Sequence, residues 1–91
     1  MDDTARKRLY WHSRRGMWEL DLMLLPFFEN CFAQLDDARQ QAYADLLAEQ
    51  DQDLFSWLMR RGRPMDDALA AMVDEIIAYA ERTRTAEVRP V

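Results

Sequence analysis

The sequence predicts an all-α protein, a compact single-domain bundle of about five helices, and three observations predict it. Strand signals are nearly absent: glycine occurs twice in 91 residues, β-branched residues are few, and no alternation of apolar and polar positions runs beyond a few residues. Helical spacing recurs instead, as in Leu69, Met72, Val73, Ile76 and Ala80, which follow one another at steps of one, three or four. Aspartates stand ahead of the periodic segments, where a helix needs acceptors for its first free N–H groups.

Thr4 to Ser13 reads as a short first helix, closed by a break at Gly16. The second helix runs from Met17 to about Leu35. Its segment Leu22-Met23-Leu24-Leu25-Pro26-Phe27-Phe28 is apolar on every side, so this helix is central or meets a partner. Pro26 lacks a backbone donor and crowds the preceding turn, which predicts a kink or break near Leu22 to Leu25. Tyr43, Leu46 and Leu47 mark a third helix that starts at Asp36 or Asp37. Leu54, Trp57, Leu58 and Arg61 mark a fourth, which begins near Asp51 and is stopped by Gly62 and Pro64. The fifth spans about Asp66 to Arg82, capped by Asp66 or Asp67. The polar tail, residues 83–91, lacks periodicity and is expected to fray, leaving a core of residues 6–82 within one domain, 1–91.

The most informative stretch is the corner Arg14-Arg15-Gly16-Met17-Trp18-Glu19-Leu20-Asp21. A glycine just past a helix end takes the left-handed backbone conformation, which costs other residues about 1–2 kcal/mol. Glu19 falls in the first turn of the next helix, where the dipole favours a carboxylate. From the residues alone, two readings stand side by side. Gly16 is a cap, Glu19 a helix-start residue, and Arg14 and Arg15 solvated cations, or the group is a docking surface. Tyr10 or Trp11 is expected to cover the corner, and Trp18 is equally suited to exposure or burial. Trp57 and Phe55 are assigned to the core.

Charge narrows the choice of partner. The net charge is −5, with five basic and two acidic residues among positions 1–15, nine acidic and one basic among 16–59, and then a basic knot of Arg60, Arg61 and Arg63. An acidic chain repels a phosphate backbone except at a concentrated patch, so nucleic acid is not expected as the ligand. The longest apolar run has seven residues, Leu22 to Phe28, against about 20 needed to cross a bilayer. No membrane insertion is expected. No leader-like segment opens the chain, and the lone Cys31 suits a reducing compartment, so the bacterial cytosol is the expected location.

Catalytic and metal signatures are poor. His12 has no second histidine near it, and Cys31 stands on another helix, so zinc spacing is missing and a His12–Cys31 catalytic pair is disfavoured. No glycine-rich loop could cradle a nucleotide, and no cofactor is expected to be bound by the chain itself. Asp51 and Asp53 resemble half a calcium loop, but the required glycine and terminal glutamate are missing, and helix capping explains them better.

Four blocks, in order and without a gap, extend the pattern Arg15-Gly16-x-x-Glu19 with its flanks Trp11, Arg14, Leu20 and Asp21. They are Pro26-Phe27-Phe28-Glu29, Asp51-x-Asp53-Leu54-Phe55-x-Trp57-Leu58, Gly62-x-Pro64 and Met72-Val73. Over about residues 6 to 80 the chain resembles the succinate dehydrogenase assembly factors called flavinators. The resemblance implies a protein, not itself an enzyme, that binds the flavoprotein subunit of succinate dehydrogenase and, in bacteria, also that of fumarate reductase. It implies that FAD becomes covalently attached to a histidine of that client. It places Arg15, Gly16 and Glu19 at the client interface with Arg8 and Arg14 beside them, and Tyr10, Trp11 and Trp18 are neighbours able to extend the patch. The free chain is expected to be a monomer. An antitoxin-like adaptor that binds a small membrane protein is the alternative the resemblance carries.

Overall fold

The computed structural model describes residues 3–87, and within them five α-helices and one 3₁₀ turn account for the regular structure. Helix α1 is Asp3–Ser13, α2 Trp18–Cys31, α3 Asp37–Leu47, α4 Asp51–Leu58 and α5 Asp67–Glu87, with the 3₁₀ turn at Phe32–Gln34. The all-α reading therefore holds, and the differences lie at helix ends.

Helix α2 is the central element. It buries Leu20, Met23, Leu24, Phe27 and Phe28, and α1, α4 and α5 all pack against it. The chain passes through Pro26 without leaving the helix, so of the kink or break expected there the break is not found. Leu22, whose carbonyl faces the missing Pro26 N–H, lies at an exposed position (53 %), where water can serve as donor. The helix closes at Cys31, short of Leu35, because the chain tightens into the 3₁₀ turn that puts Phe32 in the core. Gln40 of α3 donates its side-chain amide to the Phe32 carbonyl at 3.0 Å, a second donor to the oxygen that also accepts the Leu35 N–H closing the turn.

An aromatic cluster joins α2 to α3. The Phe28 ring stacks on Phe32 at 4.8 Å and Phe27 on Tyr43 at 5.8 Å, and Tyr43 is wholly buried. Each such ring removes roughly 150–250 Å² from water, the main source of stability in a chain this short. Helix α5 completes the core with Met72, Val73 and Ile76, packed chiefly on α3 and α2. Trp57 and Phe55 are half-buried against it, as assigned. Arg39 of α3 also pairs with Glu75 of α5 at 3.1 Å.

Two predicted caps form as read: Asp36 accepts the Arg39 N–H at 2.9 Å and Asp66 the Leu69 N–H at 3.1 Å. The end of α4 differs. Arg60, not Gly62, takes the left-handed conformation at φ 63°, with Arg60 N–H donating to Trp57 O and Arg61 N–H to Ser56 O. These are the two bonds of a Schellman closure, made without glycine. Gly62 serves a different need, since a Cβ there would stand 3.2 Å from Ser56 Oγ. Helix α5 continues beyond Arg82 to Glu87, so part of the tail expected to fray is helical. No glycine or proline interrupts 83–87, and adding a residue to a formed helix is far easier than starting one. The rest of that tail, residues 88–91, lies outside the described residues.

Candidate functional site

The corner between α1 and α2 separates into groups that build it and groups that it presents. Gly16 is the hinge of the first set, at φ +80° as its place after a helix end demands. Nothing stands within 4 Å of the Cβ it lacks, so backbone conformation and not crowding requires glycine here. Helix α2 starts at Met17 without a side-chain cap. Asp21, one turn in, instead reaches back and accepts the Arg15 backbone N–H at 2.8 Å.

Arg15 is the central fastening. Its guanidinium donates from Nε to Asp51 Oδ1 at 2.7 Å, from Nη1 to the carbonyls of His12 at 3.0 Å and Leu47 at 2.9 Å, and from Nη2 to the Glu49 carbonyl at 2.9 Å. Its side chain is only 11 % exposed, while that of Asp51 is 41 % exposed. The planar fork suits several fixed acceptors at once, and the cation lies where α3 ends and its last carbonyls need donors. Arg15 thus faces inward, and is not the solvated cation that one reading of the residues made it.

Ser13 is the second fastening, at the very end of α1 and fully buried. Its hydroxyl donates to Leu9 O at 2.9 Å and lies 2.8 Å from the Tyr43 hydroxyl. A serine has one hydroxyl hydrogen, so Tyr43 is the donor between them. Burial pushes the Tyr43 phenol well above the ordinary tyrosine range.

The presented groups surround this scaffold. Glu19 is exposed, and its carboxylate has no hydrogen-bond or ion-pair partner among the described residues. Trp18 is 72 % exposed and shares a face of α2 with Leu22, one turn on. On α1, Arg8 is exposed, and Trp11, 63 % exposed, lies 5.5 Å from the Arg14 guanidinium in a cation–π contact. Tyr10 is half-buried, its ring 5.9 Å from Phe28 and edge-on to Trp11 at 5.7 Å. It lines a groove of about 360 Å³ with Arg6, Lys7, Trp11, Phe28 and Glu29. Both tryptophans are therefore outward, Trp11 lying against Arg14 of the corner and Trp18 in solvent.

Sequence reasoning missed Ser13 and the pairing role of Asp51. Asp51 had been read as a cap, but Gln50 occupies the N-cap position and the Asp51 carboxylate serves Arg15. Its presence in one of the motif blocks was the available signal. Ser13, a small polar residue at the buried end of a helix, gave none.

A small helical protein with a tightly fastened corner and an outward rim of unpartnered carboxylate, cations and aromatic rings belongs to the class of protein-binding factors. The chain is a member of the family described as the flavinator of succinate dehydrogenase, which residues 7–80 match. It is 50 % identical over 79 residues to a Photobacterium profundum protein named FAD assembly factor SdhE, covering 87 % of this chain and 90 % of that one. A protein of the same name from Pseudomonas aeruginosa is 50 % identical over 76 residues, covering 84 % and 90 % of the two chains. The solution structure of a UPF0350 protein superposes with a TM-score of 0.75 at 41 % identity, covering 100 % of this chain and 98 % of that one.

Proposed function

We propose that this chain binds the flavoprotein subunit of succinate dehydrogenase before that subunit joins its partners, and promotes covalent attachment of FAD to it. The observation that carries the reading is the family match over residues 7–80, which contains the whole corner and its exposed rim. The chemistry belongs to the client, which supplies the attachment residue, and this chain contributes no covalent group and holds no flavin of its own. Attachment needs the client's nucleophile held against the flavin and the charge on the ring stabilised, so a brace that fixes that geometry lowers the barrier. The brace must favour the productive client conformation, because equal binding to all conformations would shift nothing.

Glu19 offers a carboxylate to client cations or amides, Arg8 and Arg14 pair with client acids, and Trp11 and Trp18 supply apolar contact area. Tyr10 borders the same surface, and Gly16 leaves room for close approach of the client backbone. A standard interface takes roughly 20–30 residues a side, so these residues form the centre of a larger patch. The flavoprotein subunit of fumarate reductase is a second client in this proposal, the bacterial cytosol is the place of action, and the free chain is a monomer.

The experiment is in-gel flavin fluorescence of a denatured flavoprotein subunit after incubation with FAD, with and without this chain. A raised covalent signal with the chain present is the expected result. No rise, together with no binding to the apo subunit, would sink the reading.

A further inference from the structure

Arg15 stands first in the Arg15-Gly16-x-x-Glu19 pattern, yet four of the five N–H bonds of its guanidinium are taken by this chain's own acceptors. Those acceptors belong to separate pieces of the fold: His12 to the last turn of α1, Leu47 and Glu49 to the end of α3 and the turn after it, Asp51 to the first turn of α4. The Arg15 backbone N–H adds Asp21 of α2. One residue therefore fastens four helices at the point where the corner turns. Met17 provides no side-chain cap and Gly16 has open space where its Cβ would be, so beside the buried Ser13–Tyr43 pair it is Arg15 that ties the turn itself.

We propose that Arg15 and Asp51 are positioning residues: together they set the first turn of α2, which carries Trp18 and Glu19, against the α3–α4 turn. Neither acts by touching the client. This role rests on the docking function proposed above. Arginine is required because a lysine ammonium is a point charge on a flexible stem and cannot hold a carboxylate and several carbonyls in one plane. Asp51 matters because it fixes Nε and so the rotation of the fork, leaving the Nη atoms aimed at Leu47 and Glu49.

The test measures affinity of the full chain for the apo flavoprotein subunit, by calorimetry at a temperature where every variant is folded. Arg15→Lys is expected to weaken binding by about tenfold and Asp51→Asn by about threefold, no more than the scale of a single charged hydrogen bond, because the effect on the client is indirect. The double variant is expected to be little worse than Arg15→Lys alone, because both act through one fastening. Ile76→Val, in the α5 core, lowers the melting temperature and is expected to leave affinity unchanged. In the free chain, Arg15→Lys is expected to shift the NMR amide signals of Gly16, Trp18 and Glu19 without loss of helix content.

Additive losses in the double variant would mean that the two residues act independently and not through one fastening, and would overturn the proposal. So would unchanged affinity in both single variants, or an equal loss in Ile76→Val. If the wild-type chain fails to bind the subunit, the docking function falls, and the amide shifts still decide whether Arg15 sets the corner.

Discussion

Arg15 and Glu19 lie four positions apart in one pattern and serve opposite ends. The first is drawn into the protein by its own carbonyls, while the second stands in solvent with no partner among the described residues. Glu19→Ala should therefore cost little stability: a first-turn carboxylate is worth about 0.3–1 kcal/mol, a fall of no more than about 8 °C in melting temperature. Helix content should not change. Client flavinylation should fall about fivefold or more at limiting concentrations of the chain, the size of an interface residue worth over 1 kcal/mol. Circular dichroism and in-gel flavin fluorescence read the two effects, and a matched loss in both would reduce Glu19 to a helix-start residue. Tyr43 makes a residue-scale prediction of a different kind. Burial raises its folded pKa above the ordinary value, so its neutral form is favoured by folding. The linked stability is complete below the unfolded pKa, about 10, and is lost progressively as pH rises above it. Tyr43→Phe removes one hydrogen bond at neutral pH, about 1 kcal/mol, but should flatten the decline of stability between about pH 9.5 and 11. Urea melts across that range check it, and an unchanged slope would mean that Tyr43 does not carry the decline.

Helix boundaries show which signals are local and which are not. Asp36 and Asp66 were legible as caps because their acceptors and donors lie three residues apart, within any reading window. The left-handed Gly16 was legible for the same reason. The fastening made by Arg15 was not legible because its carbonyl partners at Leu47 and Glu49 and its carboxylate at Asp51 are 32, 34 and 36 residues away, and only the packed fold brings them together. The end of α4 was misjudged for another reason: Gly62 looked like the stop signal, whereas the close Ser56 hydroxyl favours a small residue there, and the reversal falls two residues earlier on Arg60. That places a Cβ in the left-handed region at a cost of about 1–2 kcal/mol. Arg60 pairs with Glu81 across the groove between the α4–α5 connection and α5, but the pair is exposed and worth about 0–1 kcal/mol. Arg60→Gly should therefore be neutral to stabilising by about 1 kcal/mol, the relief of strain exceeding the lost ion pair. Thermal melts of the full chain measure it. Destabilisation beyond about 1 kcal/mol would show that the Arg60 side chain holds the connection in a way that backbone strain does not capture.

At the scale of the whole molecule, charge separates into regions that the fold keeps apart. The buried cluster draws on all five helices and the 3₁₀ turn, so the helices hold one arrangement and the surface charges ride on a common frame. Helix α1 and the residue that follows it carry exposed Arg8 and Arg14 beside Trp11, whereas the chain as a whole is acidic, at −5. Arg60 and Arg63 of the second basic knot meet Glu81 and Asp74, the latter through two bonds of 2.8 and 3.0 Å, and Arg61 lies over the Phe55 ring. Their field is partly cancelled where they stand. The field of Arg8 and Arg14 is not cancelled by any ion pair recorded among the described residues. Cations of this kind speed encounter with an acidic partner more than they prolong the complex, and salt screens them over about 10 Å at 0.1 M. Association of the chain with the apo flavoprotein subunit should therefore slow severalfold between about 0.05 and 0.3 M salt, with a dissociation rate that changes less. Arg8→Ala should lower the association rate at low salt and flatten its salt dependence, while Arg63→Ala should do neither. Stopped-flow binding at several salt concentrations distinguishes the two clusters. Equal slopes for wild type and Arg8→Ala would remove α1 from the approach to the client, and a flattened slope for Arg63→Ala would move that approach to the knot of Arg60, Arg61 and Arg63.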